Sequence, residues 1–266
     1  MNFLAIIVTA LTAVQGEAMQ LRVPPETGLV AVNAVWNDRR IPFVKNDVEW
    51  FTVIGIDLEM NPGDHVADLL FTYADGRERR QVETVTVQSR EFPTTRLSVA
   101  PKYVELSAEN QARATRERGE IDAIYATLTP DAYWRDSFRV PIPGTTGGRN
   151  FGNRRVFNDQ PRAPHSGADL KATTGTEIHA ANRGRVVLAK NLFYSGNAVF
   201  IDHGLGVYTV YLHLSEILVE PGSIVAQGQL VGLAGATGRV TGPHLHWGAR
   251  IIDARVDPFS LLELDR

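Results

Sequence analysis

After Gly148 the sequence shows no apolar periodicity long enough for an amphipathic helix; glycines cut it into short β-branched and aromatic runs. The clearest cover residues 184–189, 198–202, 207–212 and 229–234, the last following a loop-strand-turn phrase at 220–228. Apolar runs of this length bounded by turn residues fold as strands. The pattern confines this half of the chain to an antiparallel β structure whose polar clusters sit at strand ends and loops.

Two such clusters must meet in space: His165-Ser166-Gly167-Ala168-Asp169 and Thr241-Gly242-Pro243-His244-Leu245-His246-Trp247. Side chains two apart on a strand share a face, so His244 and His246 point the same way. His165 and Asp169 can do the same if their stretch is extended or mildly kinked. Two imidazoles and a carboxylate arriving from separate strands suit a divalent metal, and zinc favours this set. Any one of these histidines alone reads as readily as an ordinary turn or strand polar; two such stretches, each wrapped in glycine, argue against that for the set. With His165, Asp169 and His246 as ligands, a tetrahedral zinc keeps one open position, which marks a catalytic site. His244 and His213, the latter in Tyr211-Leu212-His213-Leu214-Ser215, are candidates for proton transfer and charge stabilisation. No H-E-x-x-H segment occurs, so an imidazole must act as the base.

The N-terminal half reads differently. Residues 29–36, 48–58, 66–73 and 79–88 are candidate strands, the last two joined by the turn Ala74-Asp75-Gly76-Arg77. Strands at turn-punctuated intervals predict a small immunoglobulin-like β-sandwich over residues 19–104. Nothing in it looks catalytic, and His65, after Pro62-Gly63-Asp64, reads as a surface turn residue. Residues 107–128 predict a helix with Ile121, Ile124, Tyr125 and Leu128 on one face and a polar, solvent-facing first half. A connecting helix and linker are expected over 105–140. The Pro/Gly-rich stretch 141–148 is the expected boundary to a second domain at 141–266. Residues 2–14 are uncharged and mostly apolar, and Gly16-Glu17-Ala18 resembles a small-x-small cleavage site. Residues 1–18 are therefore expected to form a signal peptide, although the segment lacks Lys and Arg; a buried N-terminal strand or helix is the alternative. No later stretch is apolar enough to span a bilayer. The absence of cysteine excludes disulfides and thiolate sites, and a net charge of −3 without a long basic run gives no reason to expect nucleic acid.

Taken in order, the C-terminal motifs resemble the lysostaphin-like zinc metallopeptidases, the LytM-type or beta-lytic endopeptidases that cut peptide cross-bridges of peptidoglycan. The resemblance runs over residues 140–258. It rests on Phe151-Gly152, the His165 to Asp169 motif, Asp202-His203-Gly204, Tyr211 to Ser215, Gly235-Ala236-Thr237-Gly238 and His244-Leu245-His246. It implies an all-β peptidase domain in which His165, Asp169 and His246 bind Zn2+ and His213 and His244 are catalytic. It further implies a secreted zinc metalloendopeptidase acting on peptidoglycan cross-linked peptides in the periplasm or cell envelope. Residues 20–130 resemble the immunoglobulin-like domain with trailing helix of some secreted members, so the chain as a whole is expected to be an all-β, two-domain protein. One rival is a LytM-type regulatory domain that binds and activates a wall amidase without its own catalysis; that normally requires lost ligands, and every ligand position is filled here. A secreted protease acting on glycine-rich proteins also stays open, because the motif residues report the reaction and not the groove. Similarity to the family gives His203 a structural role, and His179 reads as a packed or rim residue. Arg149, Arg154 and Arg155 either meet carboxylates of an acidic peptide or are solvated surface arginines. For the N-terminal domain, a regulatory or substrate-positioning role and a plain spacer are both open.

Overall fold

The structure is a computed structural model that describes residues 11–97, 106–145 and 148–264. In the N-terminal part, β1 (Leu11–Val14), β2 (Ala18–Val23), β3 (Leu29–Trp36), β4 (Arg39–Pro42), β5 (Val44–Lys45), β6 (Trp50–Gly55), β7 (Gly63–Tyr73) and β8 (Glu78–Gln88) form two sheets. Their orders are β1-β8-β7-β3-β4 and β2-β6-β5. Local chemistry sets the hairpins. Asn37 and Asp38, between β3 and β4, both take positive φ, the backbone of a two-residue turn that matches strand twist. Between β7 and β8, Asp75 Oδ1 accepts the Arg77 N–H at 3.0 Å. Val32, Ala34, Ile41, Ile54, Phe71 and Val85 fill the space between the sheets, so the expected sandwich is present. His65 lies on β7 rather than in a turn, its ring 6.1 Å from that of Trp36.

The expected signal peptide overlaps this sandwich. β1 pairs in parallel with β8, and Ala13 is buried in the core. The Gly16 N–H donates to Ile56 O, and the Ala18 N–H donates to Ser260 Oγ. Residues 11–18 are paired and packed within the sandwich, as the alternative of a buried N-terminal strand expects; residues 1–10 lie outside the described residues.

A short strand β9 (Thr94–Leu97) follows, then helix α1 (Ala108–Tyr125), whose N-cap Ser107 accepts from the Asn110 N–H. Its last turn behaves as the spacing predicts: Tyr125 is buried against Phe200 and Tyr208. Its first half is polar and largely exposed, as expected, and polar contacts tie the helix to the neighbouring strand. Glu117 accepts the Phe193 N–H at 2.7 Å, Arg113 reaches Asn191 Oδ1 at 3.0 Å, and Glu120 pairs with Lys190.

Beyond it run β10 (Arg154–Phe157), β11 (Gln160–Arg162), β12 (Gly167–Lys171), β13 (Glu177–His179), β14 (Gly184–Leu192), β15 (Gly196–Gly204) and β16 (Val207–Leu214). They are followed by β17 (Glu216–Ile217), β18 (Ile224–Val225), β19 (Leu230–Leu233), β20 (His244–Ile251) and β21 (Ala254–Val256). The main sheet has the order β12-β20-β16-β15-β14-β18, with β21 on β20, and every pairing is antiparallel. A smaller sheet, β13-β19-β17, packs against it through Ile178 and Val231. The chain is all-β in class, with α1 the one α-helix among the described residues.

The core of this half extends past the expected boundary at 141–148. Trp134, Phe138 and Ile142 are buried within it, and so are Phe51 and Val53 of β6. β6 therefore has both faces covered: Ile54 turns into the sandwich while Phe51 meets Trp134 edge-on at 6.3 Å. Burial on two faces is what makes residues 48–58 a nearly continuous apolar run rather than an alternating one. Ion pairs from Arg255 to Asp57 and Glu59, and from Arg39 to Asp253, rim the contact. Thr146 and Gly147 of the boundary stretch lie outside the described residues.

Candidate metal centre

The register of the main sheet brings the two sequence clusters together. β12 and β20 pair so that Asp169 stands opposite His246, and β16 pairs on the other side of β20 with Leu212 opposite His246. His165 arrives from the loop just before β12. Its Nε2 lies 3.0 Å from Asp169 Oδ1 and 2.9 Å from His246 Nδ1, and His246 Nδ1 lies 2.9 Å from Asp169 Oδ1. These three residues each offer one ligand atom, all within 4.8 Å of one another, and two of them are buried.

The charge state suits a cation. Burial lowers the His246 pKa to about 4 even though Asp169 works the other way, so its imidazole is neutral near pH 7. Burial pushes Asp169 upward, but contacts with His165 and His246 outweigh it and hold the carboxyl well below the usual carboxylate range. Two ring nitrogens and an ionised carboxylate packed this closely repel unless protons or a metal lie between them, and burial makes protons scarce. The backbone leaves room for the rings: a Cβ on Gly167 would come within 2.6 Å of His246 Nε2. The donor set, two imidazoles and one carboxylate, is of the kind that zinc favours.

Asn150 ties this set together. Its backbone carbonyl accepts from His165 Nδ1 at 3.0 Å, which turns Nε2 toward the cluster. Its side-chain Nδ2 donates to Asp169 Oδ2 at 3.0 Å, and its Oδ1 accepts the Asp169 N–H at 2.9 Å. Arg155 on β10 also faces Asp169 Oδ2, at 3.4 Å. Burial lowers its pKa while Asp169 opposes that shift. Of the three arginines weighed in the sequence, Arg155 meets the protein's own carboxylate, Arg149 lies over the Phe259 ring and Arg154 is exposed. Asn150 escaped the sequence reading. It sits beside Phe151-Gly152, which did carry a signal, but a lone asparagine in a loop has no pattern of its own.

His213 and His244 stand beside the cluster, their rings 5.0 Å apart, with His213 6.0 Å from the His246 ring. Each is oriented by a carbonyl at Nδ1: Thr237 O at 2.9 Å for His213 and Gly242 O at 2.8 Å for His244. A carbonyl only accepts, so Nδ1 carries the proton and Nε2 is the exchangeable nitrogen. His244 Nε2 is 3.6 Å from Asp169 Oδ1. Burial, with His246 and His244 adding to it, lowers the His213 pKa to about 3. His213 also has φ 67, a left-handed conformation that costs a non-glycine residue about 1–3 kcal/mol. It is held there by its own N–H to Ser195 O at 2.9 Å. The other histidines stay apart. His203 is buried between Arg183 O and Thr209 Oγ1, and His179 sits by Gly228 O.

Comparison with known proteins adds to this geometry. The profile of Peptidase family M23 matches residues 163–258. The peptidoglycan DD-endopeptidase ShyA of Vibrio cholerae is 36% identical over 175 residues, which cover 65% of this chain and 41% of that protein. The DD-carboxypeptidase/endopeptidase Mpg of Neisseria meningitidis is 42% identical over 97 residues, 36% of this chain and 22% of that one. The chain thus spans less than half the length of either relative. A solved structure described as a candidate peptidase M23 from Pseudomonas aeruginosa superposes with a TM-score of 0.72 at 30% identity, covering 94% of both chains. With that match over nearly its whole length, and with the motif residues converging as the sequence resemblance implies, the chain belongs to peptidase family M23.

Proposed function

We propose that this chain is a zinc-dependent endopeptidase that hydrolyses peptide cross-links of bacterial peptidoglycan outside the cytoplasm. The observation that carries the reading is the triangle of His165 Nε2, Asp169 Oδ1 and His246 Nδ1 with two further imidazoles at its edge. Relatives described as peptidoglycan endopeptidases support the substrate class. No helix among the described residues is long and apolar enough to cross a membrane.

His165, Asp169 and His246 hold the metal in this reading. Zinc bound there supplies Lewis acidity toward a water and a peptide carbonyl. The remaining steps belong to the chain. His213 and His244, with Nδ1 fixed by carbonyls, accept a proton at Nε2 from the attacking water and return it to the leaving amine. Once it holds that proton, the His244 imidazolium would also stabilise the oxygen on which negative charge develops. Asn150 and Arg155 hold the far carboxylate oxygen of Asp169 so that Oδ1 faces inward. The non-catalytic reading, activation of an amidase, draws no support from a ligand set this complete.

The test is digestion of purified peptidoglycan by the zinc-loaded chain, with and without chelator, read by mass spectrometry. Conversion of cross-linked fragments to monomers that stops with chelator is the expected result. No conversion, or conversion indifferent to chelator, refutes the reading.

A further inference from the structure

The N-terminal part reaches the metal centre through a continuous set of contacts. β9 pairs in parallel with β10, placing Thr95 beside Arg155 in register. Just before that ladder, the Arg154 N–H donates to Pro93 O at 2.8 Å, and Asn153 Nδ2 donates to Thr95 Oγ1 at 3.1 Å. Phe92 packs edge-on against Phe151, ring centroids 6.2 Å apart. It also fills the space over Gly152, where an added Cβ would lie 2.0 Å from the Phe92 ring and where φ is 77. No side chain fits there, so Phe92 and the 151–152 backbone are in direct contact.

The same short segment holds the ligands from its other side. The Gly152 N–H donates to His165 O at 2.7 Å, and the His165 N–H donates to Asn153 O at 2.9 Å. Asn150, one residue before Phe151, bonds His165 Nδ1 and both the side chain and N–H of Asp169. Arg155 faces the same carboxylate. Residues 150–155 are therefore a plate with Phe92, Pro93 and Thr95 on one side and two candidate metal ligands on the other.

We propose that Phe92 and Thr95 are positioning residues of the metal centre: they seat residues 150–155 and so set the orientation of His165 and Asp169. The inference rests on the assignment of His165, Asp169 and His246 as metal ligands. Groups that orient metal ligands contribute about 10–100-fold in affinity when lost. The N-terminal part is thus an outer shell of the metal site.

The test uses the full chain, stripped of metal and titrated with zinc in competition with a chromophoric chelator, well below the melting temperature of each variant. Phe92→Ala is expected to bind zinc about tenfold or more weakly, and Thr95→Val about fivefold more weakly. Arg96→Ala, on the same strand but exposed and paired with the exposed Asp159, is expected to stay within about twofold of wild type. If the effect travels through the plate, Phe92→Ala combined with Asn150→Ala binds within about twofold of Asn150→Ala alone, because sites acting in series are not additive. Wild-type affinity in Phe92→Ala, or a double variant whose loss is the product of the single losses, overturns the proposal. Should Phe92→Ala fail to fold, Thr95→Val decides, and unchanged affinity there overturns it. No zinc binding by the wild type removes the ligand assignment itself; tight wild-type binding with unaffected variants removes only this inference.

Discussion

Asp169 and His246 face each other across neighbouring antiparallel strands, with Oδ1 2.9 Å from Nδ1. Their meeting is a property of register. A slip of one residue between β12 and β20 would turn one of the pair to the opposite face of the sheet. Leu170 and Leu245, the next pair in the ladder, are both fully buried and fix that register from below. Two strands with apolar partners on one face thus present a carboxylate and an imidazole on the other.

That arrangement predicts how metal is lost. Asp169→Ala removes the one anionic candidate ligand and leaves two neutral rings, so zinc affinity should fall by more than about 100-fold, beyond the loss seen for groups that only orient ligands. His246→Ala should behave alike. Elemental analysis of dialysed protein is the measurement; full zinc occupancy in Asp169→Ala would sink the assignment.

His213 predicts the opposite division. It stands beside the triangle rather than in it, with Nδ1 committed to Thr237 O. His213→Ala should keep zinc near one per chain and lose about 100-fold to 10,000-fold in turnover, the usual range for a proton-transfer group. Metal loss equal to that of His246→Ala would show that the two roles are confused here.

How much of this was legible in the sequence follows from which interactions are local. The strands of the main sheet announce themselves by β-branched runs between glycines, and the histidine spacing announces the site, because a period of two is a local property. Register is harder to read, yet Leu170 and Leu245 supply it through the alternation of their own strands. Asn150 is not legible as a site residue, and Arg155 is legible only as one of three candidate arginines with no sign of its partner Asp169. Their function depends on β9 and β10, which lie far apart in sequence, and on an Asn158-Asp159 turn whose positive φ values close β10 onto β11. That turn is a recognisable two-residue hairpin signal and could have placed β10. β1 is ambiguous in the sequence for another reason. An uncharged apolar stretch before a small-x-small triplet suits a leader and an edge strand equally well, and the partner of β1 in the structure, β8, is distant in sequence and leaves no local signal.

The position of β1 carries a third prediction. A chain beginning at residue 19 lacks the strand that pairs with β8, exposes Val85 and Val87, and loses the Gly16 bonds to Ile56 and Asp257. Its melting temperature should fall by about 5 °C or more relative to the full chain, since each kcal/mol is worth about 2–4 °C at this size. Equal melting temperatures, followed by circular dichroism, would mean that β1 adds nothing to the fold.

A fourth prediction concerns acid and lies away from the metal centre. His203 is fully buried, with Nδ1 at Arg183 O and Nε2 at Thr209 Oγ1, both 2.8 Å, and its ring is edge-on to Phe138. Burial lowers its pKa from 6.5 to about 4, although the Arg183 carbonyl works the other way. Between those values the unfolded chain binds a proton that the folded chain refuses, so stability rises with pH across that window and is level above it. Stability is therefore lost as pH falls from 6.5 toward about 4, and the gap corresponds to about 3 kcal/mol. Asp202, next to it, is raised by burial and acts in the opposite sense, so the measurement must isolate His203. Urea unfolding of metal-free wild type and His203→Gln at pH 7 and pH 4 does this, because every other titrating group is common to both. Wild type should lose about 3 kcal/mol more than the variant between the two pH values. Equal losses would mean that the buried imidazole does not resist protonation and that its two hydrogen bonds hold it equally well when charged.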